Sequence, residues 1–320
     1  MEQKTLQSIE PKISIIILNW NGKEDTCECI RTVQTLEYSN YEVIVVDNGS
    51  QDDSVKTFRQ EFPEVTIIET HANLGYAEGN NRGIAYAMSK GCDYILILNN
   101  DAIVAPCLIK SFLRVSKERP QAGVFGAKIY YKNEPNKIWF AGGVWIPETA
   151  STDHIGINQI EDNFTWSEIR EIDYACGCAL LVKTEVIHKI GFLEPKFFLT
   201  WEETDFCYRA KRAGFECLLV PSAHVWHKVS ASFKGGEAGL LYHYFIQRNR
   251  LLWIERNLPF YEIIRIYFTV IIPEALSYIR AYISPRANSR IRMRIKVHVV
   301  AVIDYLFRRF GDCPSWLRSS

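Results

Sequence analysis

Short apolar runs rich in Ile and Val alternate with polar turns through the first part of the chain. Residues 13–18, 41–46 and 94–98 form the three clearest runs, and a weaker one lies at 65–68. Each run is too short for a typical helix and ends in a turn signal, which favours strands that are buried on both faces of a parallel sheet. The four runs therefore predict four strands of one sheet.

Helices are predicted between these runs. Residues 23–36 repeat apolar side chains at helical spacing, and further helices are predicted to end near residues 61 and 91. Strand, loop and helix in regular succession are typical of right-handed βαβ units. We therefore predict an α/β fold with a mostly parallel central sheet flanked by helices.

The pattern becomes less regular after residue 106. A helix at 108–115 and a strand at 123–129 are predicted to extend the sheet, and strand patterns return at 172–182 and 216–220. Between them, residues 132–170 are rich in turn signals, so we expect an irregular surface segment there.

Polar clusters follow three of the predicted strands, at Asn19–Gly22, Asp47–Ser50 and Asn99–Asp101. Ligands of open α/β sheets bind at the carboxyl edge of the strands, so these side chains are candidates for a site. An Asx turn after each strand is the structural alternative, and the pattern leaves both open. The chain has no glycine-rich dinucleotide signature and no P-loop lysine, which argues against a dehydrogenase or a P-loop enzyme.

A second acidic cluster, Glu202, Glu203 and Asp205, lies between aromatic residues at the expected start of a helix. Acidic residues at a helix start are favourable partners of the helix dipole. Aromatic neighbours would also desolvate a carboxylate and raise its pKa, which suits a general base. Both interpretations stay open from the residues alone.

Composition is that of a soluble globular protein, with 48% apolar and 23% charged residues. The net charge of zero conceals an asymmetry, since residues 1–239 carry a net charge of −8 and residues 240–320 carry one of +8. An acidic body with a basic tail predicts contact with an anionic surface. That surface could be a membrane, a nucleic acid or the protein's own body.

The basic tail combines charge with apolar residues. Residues 259–283 are rich in Ile, Tyr and Phe, and one predicted helical face further on carries Ile291, Ile295, Val299, Val302, Leu306 and Phe310. A basic amphipathic helix suits peripheral attachment to anionic lipid, so we expect membrane contact through 259–310. An interface that forms a homo-oligomer is the alternative. Nucleic-acid binding is not expected, because no nucleic-acid fold signature accompanies the charge.

Nine cysteines are scattered along the chain and its first residues are polar, which predicts reduced thiols and no secretory signal. Neither Cys27–Cys29 nor Cys176–Cys178 has the two-residue gap of common zinc ligands. No uncharged apolar run approaches the about 18 residues of a membrane span. We therefore expect a cytoplasmic protein that is peripheral on the cytoplasmic face of the membrane.

Six motifs resemble those of the family-2 inverting glycosyltransferases, and within them the bacterial rhamnosyltransferase-like branch. They are Ser14–Asn21, Val46–Asp52, Asn73–Gly83, Leu98–Asp101, Trp201–Phe206 and Val225–Lys228. Each motif is weak alone, but their order over residues 12–255 is typical of the family.

The resemblance implies the GT-A fold. A catalytic domain over residues 1–239 would divide into a donor half at about 1–130 and an acceptor half at about 131–239. Residues 240–320 would form a C-terminal amphipathic helical extension that is rich in basic residues.

The resemblance also implies a divalent metal, Mg²⁺ or Mn²⁺, that neutralises charge on the leaving nucleoside diphosphate. Asp101 corresponds to the metal-binding acid of the family's signature, and His227 corresponds to a histidine that joins the metal or the diphosphate. Asn99 stands where the family's first acid is commoner. Asn99 and Asn100 are therefore assigned to the sugar, the ribose or metal-bound water.

Five further residues are implied in nucleotide binding. Asp47 resembles the residue that reads the N3–H of uracil or thymine, which implies a UDP- or dTDP-linked donor. Asn19 and Trp20 lie where the family's first loop packs against base and ribose. Asn80 and Arg82 begin a helix near the diphosphate. The alternatives are a turn role for Asp47, a core position for Trp20 and a surface position for Arg82.

Glu203 matches the second acid of the family's Glu-Asp motif and is implied as the catalytic base, with Glu202 as the second candidate and Asp205 as an orienting residue. The implied function is inverting transfer of a sugar, with L-rhamnose from dTDP-rhamnose as the first candidate, to a cell-surface glycan or a lipid-linked glycan. A non-catalytic nucleotide-sugar-binding or scaffolding subunit is the alternative. A nucleotidyltransferase is not favoured, because the glycine-rich, arginine-containing loop of such enzymes is missing near the start of the chain.

Overall fold

A computed structural model describes residues 10–162, 164–229 and 236–318 of the chain. The polar first residues, on which the prediction of no secretory signal rests, lie outside the described residues. At the centre of the described part is a mixed sheet of ten strands, and helices flank it. The predicted α/β class is therefore confirmed.

The first half of the sheet is parallel, as predicted. Its elements are β1 (Ile13–Asn19), α1 (Lys23–Val33), β2 (Tyr41–Asp47), α2 (Ser54–Glu61), β3 (Thr66–Glu69), α3 (Gly75–Ser89) and β4 (Tyr94–Asn99). Strand β1 lies between β2 and β4 and runs parallel to both, and β3 pairs with β2. The register sets Asn19 opposite Asp47. Because β4 ends beside them at Asn99, the polar ends of three strands meet at one edge.

Helix α3 lies very close to this sheet because of two glycines. A Cβ atom at Gly79 would come within 2.6 Å of Leu18, and one at Gly83 would come within 2.6 Å of Ile16. The helix can approach β1 this closely only without those side chains. The same close packing leaves Asn80, next to Gly79, fully buried.

The second half of the sheet is mixed. Its elements are β5 (Ala102–Val104), α4 (Leu108–Glu118), β6 (Ala122–Tyr131), β7 (Glu134–Phe140), β8 (Gly143–Ile146), β9 (Ser151–His154), β10 (Arg170–Glu171), β11 (Ala179–Lys183), α5 (Thr184–Ile190), a 3-10 turn (Pro195–Phe197), α6 (Glu202–Arg212) and β12 (Glu216–His227). The strand order is β10-β12-β6-β11-β4-β1-β2-β3. Strand β11 is antiparallel to β4 and to β6, so it joins the two halves.

Two predictions for the second half are wrong. Residues 132–170, expected to be irregular, contain β7, which pairs with β6, and the hairpin of β8 and β9. On β7, Ile138 and Phe140 alternate inward and are fully buried, but the polar start of the strand hides this period. The strand expected at 172–182 is limited to β11, because Gly177 and Cys178 form a turn before it.

The C-terminal part is helical. It contains α7 (Gly236–Asn257), α8 (Phe260–Ile266), a π-helical turn (Tyr267–Ile271), α9 (Ile272–Ile283), α10 (Ser289–Leu306) and α11 (Ser315–Arg318). Helix α7 packs against the acceptor half, where the fully buried Trp253 contacts Trp145 and Trp201. Among the described residues, no helix combines the length and the apolar character that crossing a bilayer requires.

The residues of the apolar face expected on α10 differ in exposure to solvent. Ile295 is buried, whereas Val299 and Leu306 are exposed. The helix turns a different set of side chains, including Val297 and Ala301, into its contact with the rest of the protein. Helix α7 covers one side of α10, which the sequence pattern of α10 alone could not indicate, and the predicted membrane contact stays a prediction.

Candidate active site

The carboxyl edge of β1, β2 and β4, which we term the donor edge, is braced by Asn19. The Asn19 Nδ2 donates to Asp47 Oδ1 at 2.9 Å and to Ser50 Oγ at 3.0 Å. Its Oδ1 accepts from Thr26 Oγ1 at 2.8 Å and from the Gly22 N–H at 3.3 Å. All four hydrogen-bonding positions of this fully buried amide are thus used within the protein. Asn19 therefore braces two loops, and its predicted place beside base and ribose stays a prediction.

Asp47 is buried and accepts a hydrogen bond at each oxygen. Besides the bond from Asn19, its Oδ2 accepts the backbone N–H of Ser50 at 3.0 Å. The predicted Asx-type turn is thus present, yet each carboxylate oxygen retains room for a second donor. Asp47 also lines a cavity of about 680 Å³ together with Gly49 and His71. The turn and a ligand role are compatible.

Trp20 is not a core residue, because its side chain is 45% exposed. The guanidinium of Arg318, in α11 at the other end of the chain, lies 5.1 Å from its ring centroid. A cation above an aromatic face is a favourable arrangement. The C-terminal helix thus reaches the loop that follows β1.

The structure does not bring Asn80 and Arg82 to one ligand. Asn80 is fully buried and donates to the backbone oxygen of Tyr76 at 2.9 Å. Arg82 is 56% exposed and forms an ion pair with Glu78 at 2.8 Å. Two residues that are two apart on a helix point about 200° away from each other, so one faces the core and the other faces solvent. Arg82 lies at the surface in this structure, and the nucleotide role of Asn80 and Arg82 stays a prediction.

Asp101 and His227 lie next to each other although 126 positions separate them in the chain. Strand β5, directly after Asp101, pairs antiparallel with the end of β12 and sets His227 opposite Ala102. The His227 Nε2 lies 2.9 Å from Asp101 Oδ1, and both side chains are largely buried. The Asn99 Nδ2 lies 3.4 Å from the same nitrogen. The predicted metal residues therefore converge at the donor edge.

This pair fits a divalent cation of the Mg²⁺ or Mn²⁺ kind. A carboxylate oxygen and an imidazole nitrogen are both ligands that such ions accept, and here the two atoms lie 2.9 Å apart. Within the described residues no cluster of three or more His, Cys, Asp or Glu could hold a metal. The remaining positions would go to diphosphate oxygens and water, as is usual for such ions at phosphate sites. A nitrogen ligand favours Mn²⁺ over Mg²⁺.

Asn100 turns toward helix α1 and not toward Asp101. Its Nδ2 donates to Thr26 Oγ1 at 3.0 Å, and a Cβ atom at Gly22 would come within 2.5 Å of the same nitrogen. The NH2 group of Asn100 thus helps to close the loop after β1. Its predicted contact with the sugar, the ribose or metal-bound water remains a prediction.

Glu202 and Glu203 open helix α6. Glu202 is 3% exposed, and Glu203 keeps part of its side chain open to solvent. The Oε2 atom of each carboxyl is buried without a hydrogen-bond partner among the described residues. Two carboxyl groups are thus held together in an apolar setting, aimed into the molecule.

Burial raises the pKa of both carboxyls. For Glu202 the pKa lies well above the ordinary value because of burial, reinforced by repulsion from Glu203 and by the hydrogen bond that it donates to Glu203. For Glu203, burial raises the pKa, while the backbone N–H of Gly177 and the bond from Glu202 partly oppose the shift. Two adjacent buried carboxyls favour a single shared proton, so that one of the pair stays ionised as a general base requires, and the hydrogen bond from Glu202 makes Glu203 the candidate for that role.

The turn before β11 links the two pairs. The backbone N–H of Asn99 donates to Cys178 O at 3.0 Å, while Gly177 on the same turn contacts Glu203. The Tyr76 hydroxyl donates to Gly177 O at 2.6 Å. The small residues of this segment are the sequence signal for such a close approach, whereas nothing in the sequence marked Tyr76.

A parallel sheet whose polar edge carries Asp47 and Asp101, joined by one antiparallel strand to a half with a buried carboxyl pair, is the architecture of a GT-A glycosyltransferase. The model of the family named Glycosyl transferase family 2 matches residues 14–190, which is more than half of the chain. The chain belongs to this family.

Relatives agree with this assignment. The chain is 24% identical over 232 residues to the low-salt glycan biosynthesis hexosyltransferase Agl10 of Haloferax volcanii, covering 69% of each chain. It is 26% identical over 204 residues to the N-acetylglucosaminyl-diphospho-decaprenol L-rhamnosyltransferase of Mycobacterium tuberculosis, covering 58% of this chain and 66% of that protein. The mannosyltransferase PcManGT of Pyrobaculum calidifontis, solved with GDP-Man and Mn²⁺, superposes with a TM-score of 0.60 at 14% identity over 94% of this chain and 89% of that one. This match shows the fold.

Proposed function

We propose that the protein is an inverting glycosyltransferase that moves a sugar from a nucleoside diphosphate to a hydroxyl of a cell-surface glycan or a lipid-linked glycan. The observation that carries the proposal is the placement of the Glu202–Glu203 pair and the Asp101–His227 pair on either side of one turn. One pair suits proton removal and the other suits the charge of a leaving diphosphate.

In this mechanism Glu203 accepts the proton of the acceptor hydroxyl while the new bond forms at the anomeric carbon. The nucleoside diphosphate leaves from the opposite face, so a single displacement inverts the configuration. Glu202, protonated, holds the Glu203 carboxylate in place through its hydrogen bond. When bound at Asp101 and His227, Mg²⁺ or Mn²⁺ neutralises the charge that develops on the diphosphate. Asp47 accepts the N3–H of uracil or thymine.

The sugar is tested with a donor panel. The named relatives transfer a hexose and L-rhamnose, so dTDP-rhamnose is the first donor and UDP- and GDP-hexoses are its comparators. We expect transfer from one donor, product of inverted configuration by NMR, dependence on Mn²⁺ or Mg²⁺, and loss of activity in Asp101→Ala. Saturable nucleotide binding without transfer or hydrolysis from any donor would overturn the enzyme and support the non-catalytic subunit.

An exposed apolar stripe runs along the helices that follow α7. Its members, each between 43% and 77% exposed, are Phe260, Ile264, Phe268, Ile272, Leu276, Ile279 and Ile283. Most neighbouring members of the stripe are four residues apart. In a pure α-helix, side chains at this spacing would shift gradually around the helix axis. The wider π-helical turn at Tyr267–Ile271 offsets this shift. The stripe is thus a ridge about 36 Å long.

Exposed arginines lie at the end of this stripe and on the start of α10. Arg280, Arg290 and Arg292 are exposed and have no ion pair among the described residues. Apolar surface beside unpaired cations matches the interface of an anionic bilayer. We propose that the stripe lies on the membrane surface, where a lipid-linked acceptor would be presented.

Vesicle flotation tests this surface. We expect the protein to float with phosphatidylglycerol-containing vesicles and less with phosphatidylcholine alone, and Phe268→Ser to weaken binding by about tenfold or more. Phe164→Ser, at an exposed phenylalanine outside the stripe, is the matched control and should bind as wild type. A Phe268→Ser protein that keeps its vesicle binding but loses a dimer in sedimentation would instead identify a homo-oligomer interface.

A further inference from the structure

The loop before the carboxyl pair has an unfavourable backbone. Phe198, Thr200 and Trp201 have φ angles of 63°, 69° and 73°, in the left-handed region that favours glycine. Non-glycine residues stay in this region only where surrounding contacts hold them there. We call Phe198–Trp201 the base loop, because Glu202 and Glu203 follow it directly.

One side of the base loop is held by Asn249 of helix α7. This fully buried amide donates through Nδ2 to the backbone oxygens of Phe197 at 2.7 Å, Leu199 at 2.9 Å and Thr200 at 3.0 Å. A single side chain thus bonds to the main chain at three points, within and just before the strained segment. Asn249 is too deeply buried to reach a substrate.

Arg248 supports the same segment. Its fully buried guanidinium donates to Phe197 O at 3.0 Å and to Gly311 O at 2.7 Å, and its carbon lies 5.0 Å from the ring centroid of Phe245. Burying a charge against backbone oxygens is costly unless the geometry is good. The arginine therefore fastens the residue before the base loop to the far end of the C-terminal extension.

The other side of the base loop contacts helix α3. The backbone oxygen of Phe198 accepts the N–H of Tyr76 at 2.5 Å and that of Ala77 at 3.4 Å. A Cβ atom at Gly75 would come within 2.5 Å of Phe198, so this contact also needs a glycine. The loop is consequently held between α3 of the donor half and α7 of the extension.

We propose that Arg248 and Asn249 are positioning residues that hold the base loop in its left-handed conformation and thereby aim Glu203 at the acceptor hydroxyl. The inference rests on the proposed function, in which Glu203 is the base. It assigns the C-terminal extension a part in the reaction, in addition to any part in membrane contact.

The test compares two buried asparagines of the same helix. Asn249→Leu removes the bonds to the base loop, whereas Asn257→Leu removes a bond to Asp205 Oδ1 of 2.9 Å and leaves the loop untouched. We expect both to lower the Tm, but only Asn249→Leu to lower kcat, by about 10²-fold, with the KM for the donor within about twofold. Hydrogen exchange of the peptide over 197–203 should rise only in Asn249→Leu.

A pH profile separates positioning from general destabilisation. Around Glu203 lie Glu202 of α6, Tyr76 of α3, Tyr242 of α7, and the buried Tyr174 and Cys176 of the segment before β11. Loosening the loop admits water and lowers the raised pKa of Glu203, so the acidic limb of kcat/KM should move to lower pH in Asn249→Leu. Asn257→Leu should keep the wild-type limb. Equal losses of kcat in both variants with unmoved limbs would overturn the proposal.

A second variant tests the positioning role if Asn249→Leu fails to fold. Arg248→Lys keeps the charge but loses the forked donors, and it should show the same lowered kcat and shifted limb in milder form. A fully active Glu203→Gln would refute Glu203 as the base of the proposed function, and with it the premise of the positioning role. An inactive Glu203→Gln, combined with an Asn249→Leu that behaves as Asn257→Leu, would refute only the positioning role.

Discussion

At the donor edge, the loops after β1 and β2 are held by side chains of the same parallel half, whereas the segment before Glu203 is held by a helix that follows it by 49 to 52 residues. Asn19 on β1 bonds to Asp47 on β2, and Asn48 donates to Asn73 Oδ1 and to Gly75 O at 3.1 Å each. The loops after β1 and β2 are thus braced from within the parallel half, although His227 and Arg318 also reach the donor edge from later elements. The base loop depends on the C-terminal extension, so the extension is a structural part of the site.

The largest effect is expected at the carboxyl pair that the base loop carries. Glu203→Gln removes the base, and kcat should fall by about 10²–10⁴-fold. Glu202→Gln keeps a donor of similar shape toward Glu203, so kcat should fall by less than about tenfold. Single-turnover rates at saturating donor measure both, with nucleotide binding as the check on folding. The reverse order of effects would make Glu202 the base.

The next effect is expected at the donor edge. Asp101→Asn removes the only carboxylate next to His227 among the described residues, and kcat/KM should fall by about 10²–10³-fold. UDP or dTDP should raise the Tm of wild type more with Mn²⁺ than without it. In Asp101→Asn the nucleotide should raise the Tm equally with and without Mn²⁺. Asp162→Asn, at an exposed loop acid, should behave as wild type. A metal-dependent rise that survives in Asp101→Asn would place the metal elsewhere.

The sequence made the donor edge predictable to a large extent. Runs such as residues 13–18 are buried on both faces, and their carboxyl ends must share one edge once the strands are parallel. Asp47 and Asp101 could therefore be placed together, and the resemblance supplied His227. The resemblance did not separate Asn80 from Arg82, although two residues that are two positions apart on a helix lie on opposite faces.

The base loop could not be predicted in the same way. Phe198, Thr200 and Trp201 carry no signal for left-handed backbone, which is imposed by partners distant in sequence. Arg248 and Asn249 of α7 are fully buried, although charged and polar residues of a helix usually face solvent. Contacts between residues that are distant in sequence determine both the backbone of the base loop and the burial of Arg248 and Asn249. No local hydrophobic period in the sequence indicates such contacts.

A smaller effect concerns stability, and it distinguishes the two carboxyls by pH. The raised pKa of Glu202 means that the folded protein binds this proton more tightly than the unfolded chain. Its contribution to stability is complete below the unfolded pKa of about 4.5 and is lost as pH rises toward the folded pKa. Glu202→Gln should therefore gain Tm relative to wild type as pH rises from 5 to 8. A difference that is constant over this range would contradict the burial of an ionisable proton here.

The smallest effect is expected at Arg82. This substitution tests whether the donor edge binds the nucleotide without help from helix α3. Arg82 is paired with Glu78 on the solvent side of α3, and such surface pairs contribute about 0–1 kcal/mol to stability. Arg82→Ala should leave the donor KM within about twofold and the Tm within a few degrees, whereas Asp47→Asn should raise the donor KM. If Arg82→Ala raised the donor KM by more than about tenfold, then α3 would have to turn toward the diphosphate in the working enzyme. In that case the donor edge would depend on a helix that moves, just as the base loop depends on helix α7. The two regions would then no longer differ in whether a helix controls them.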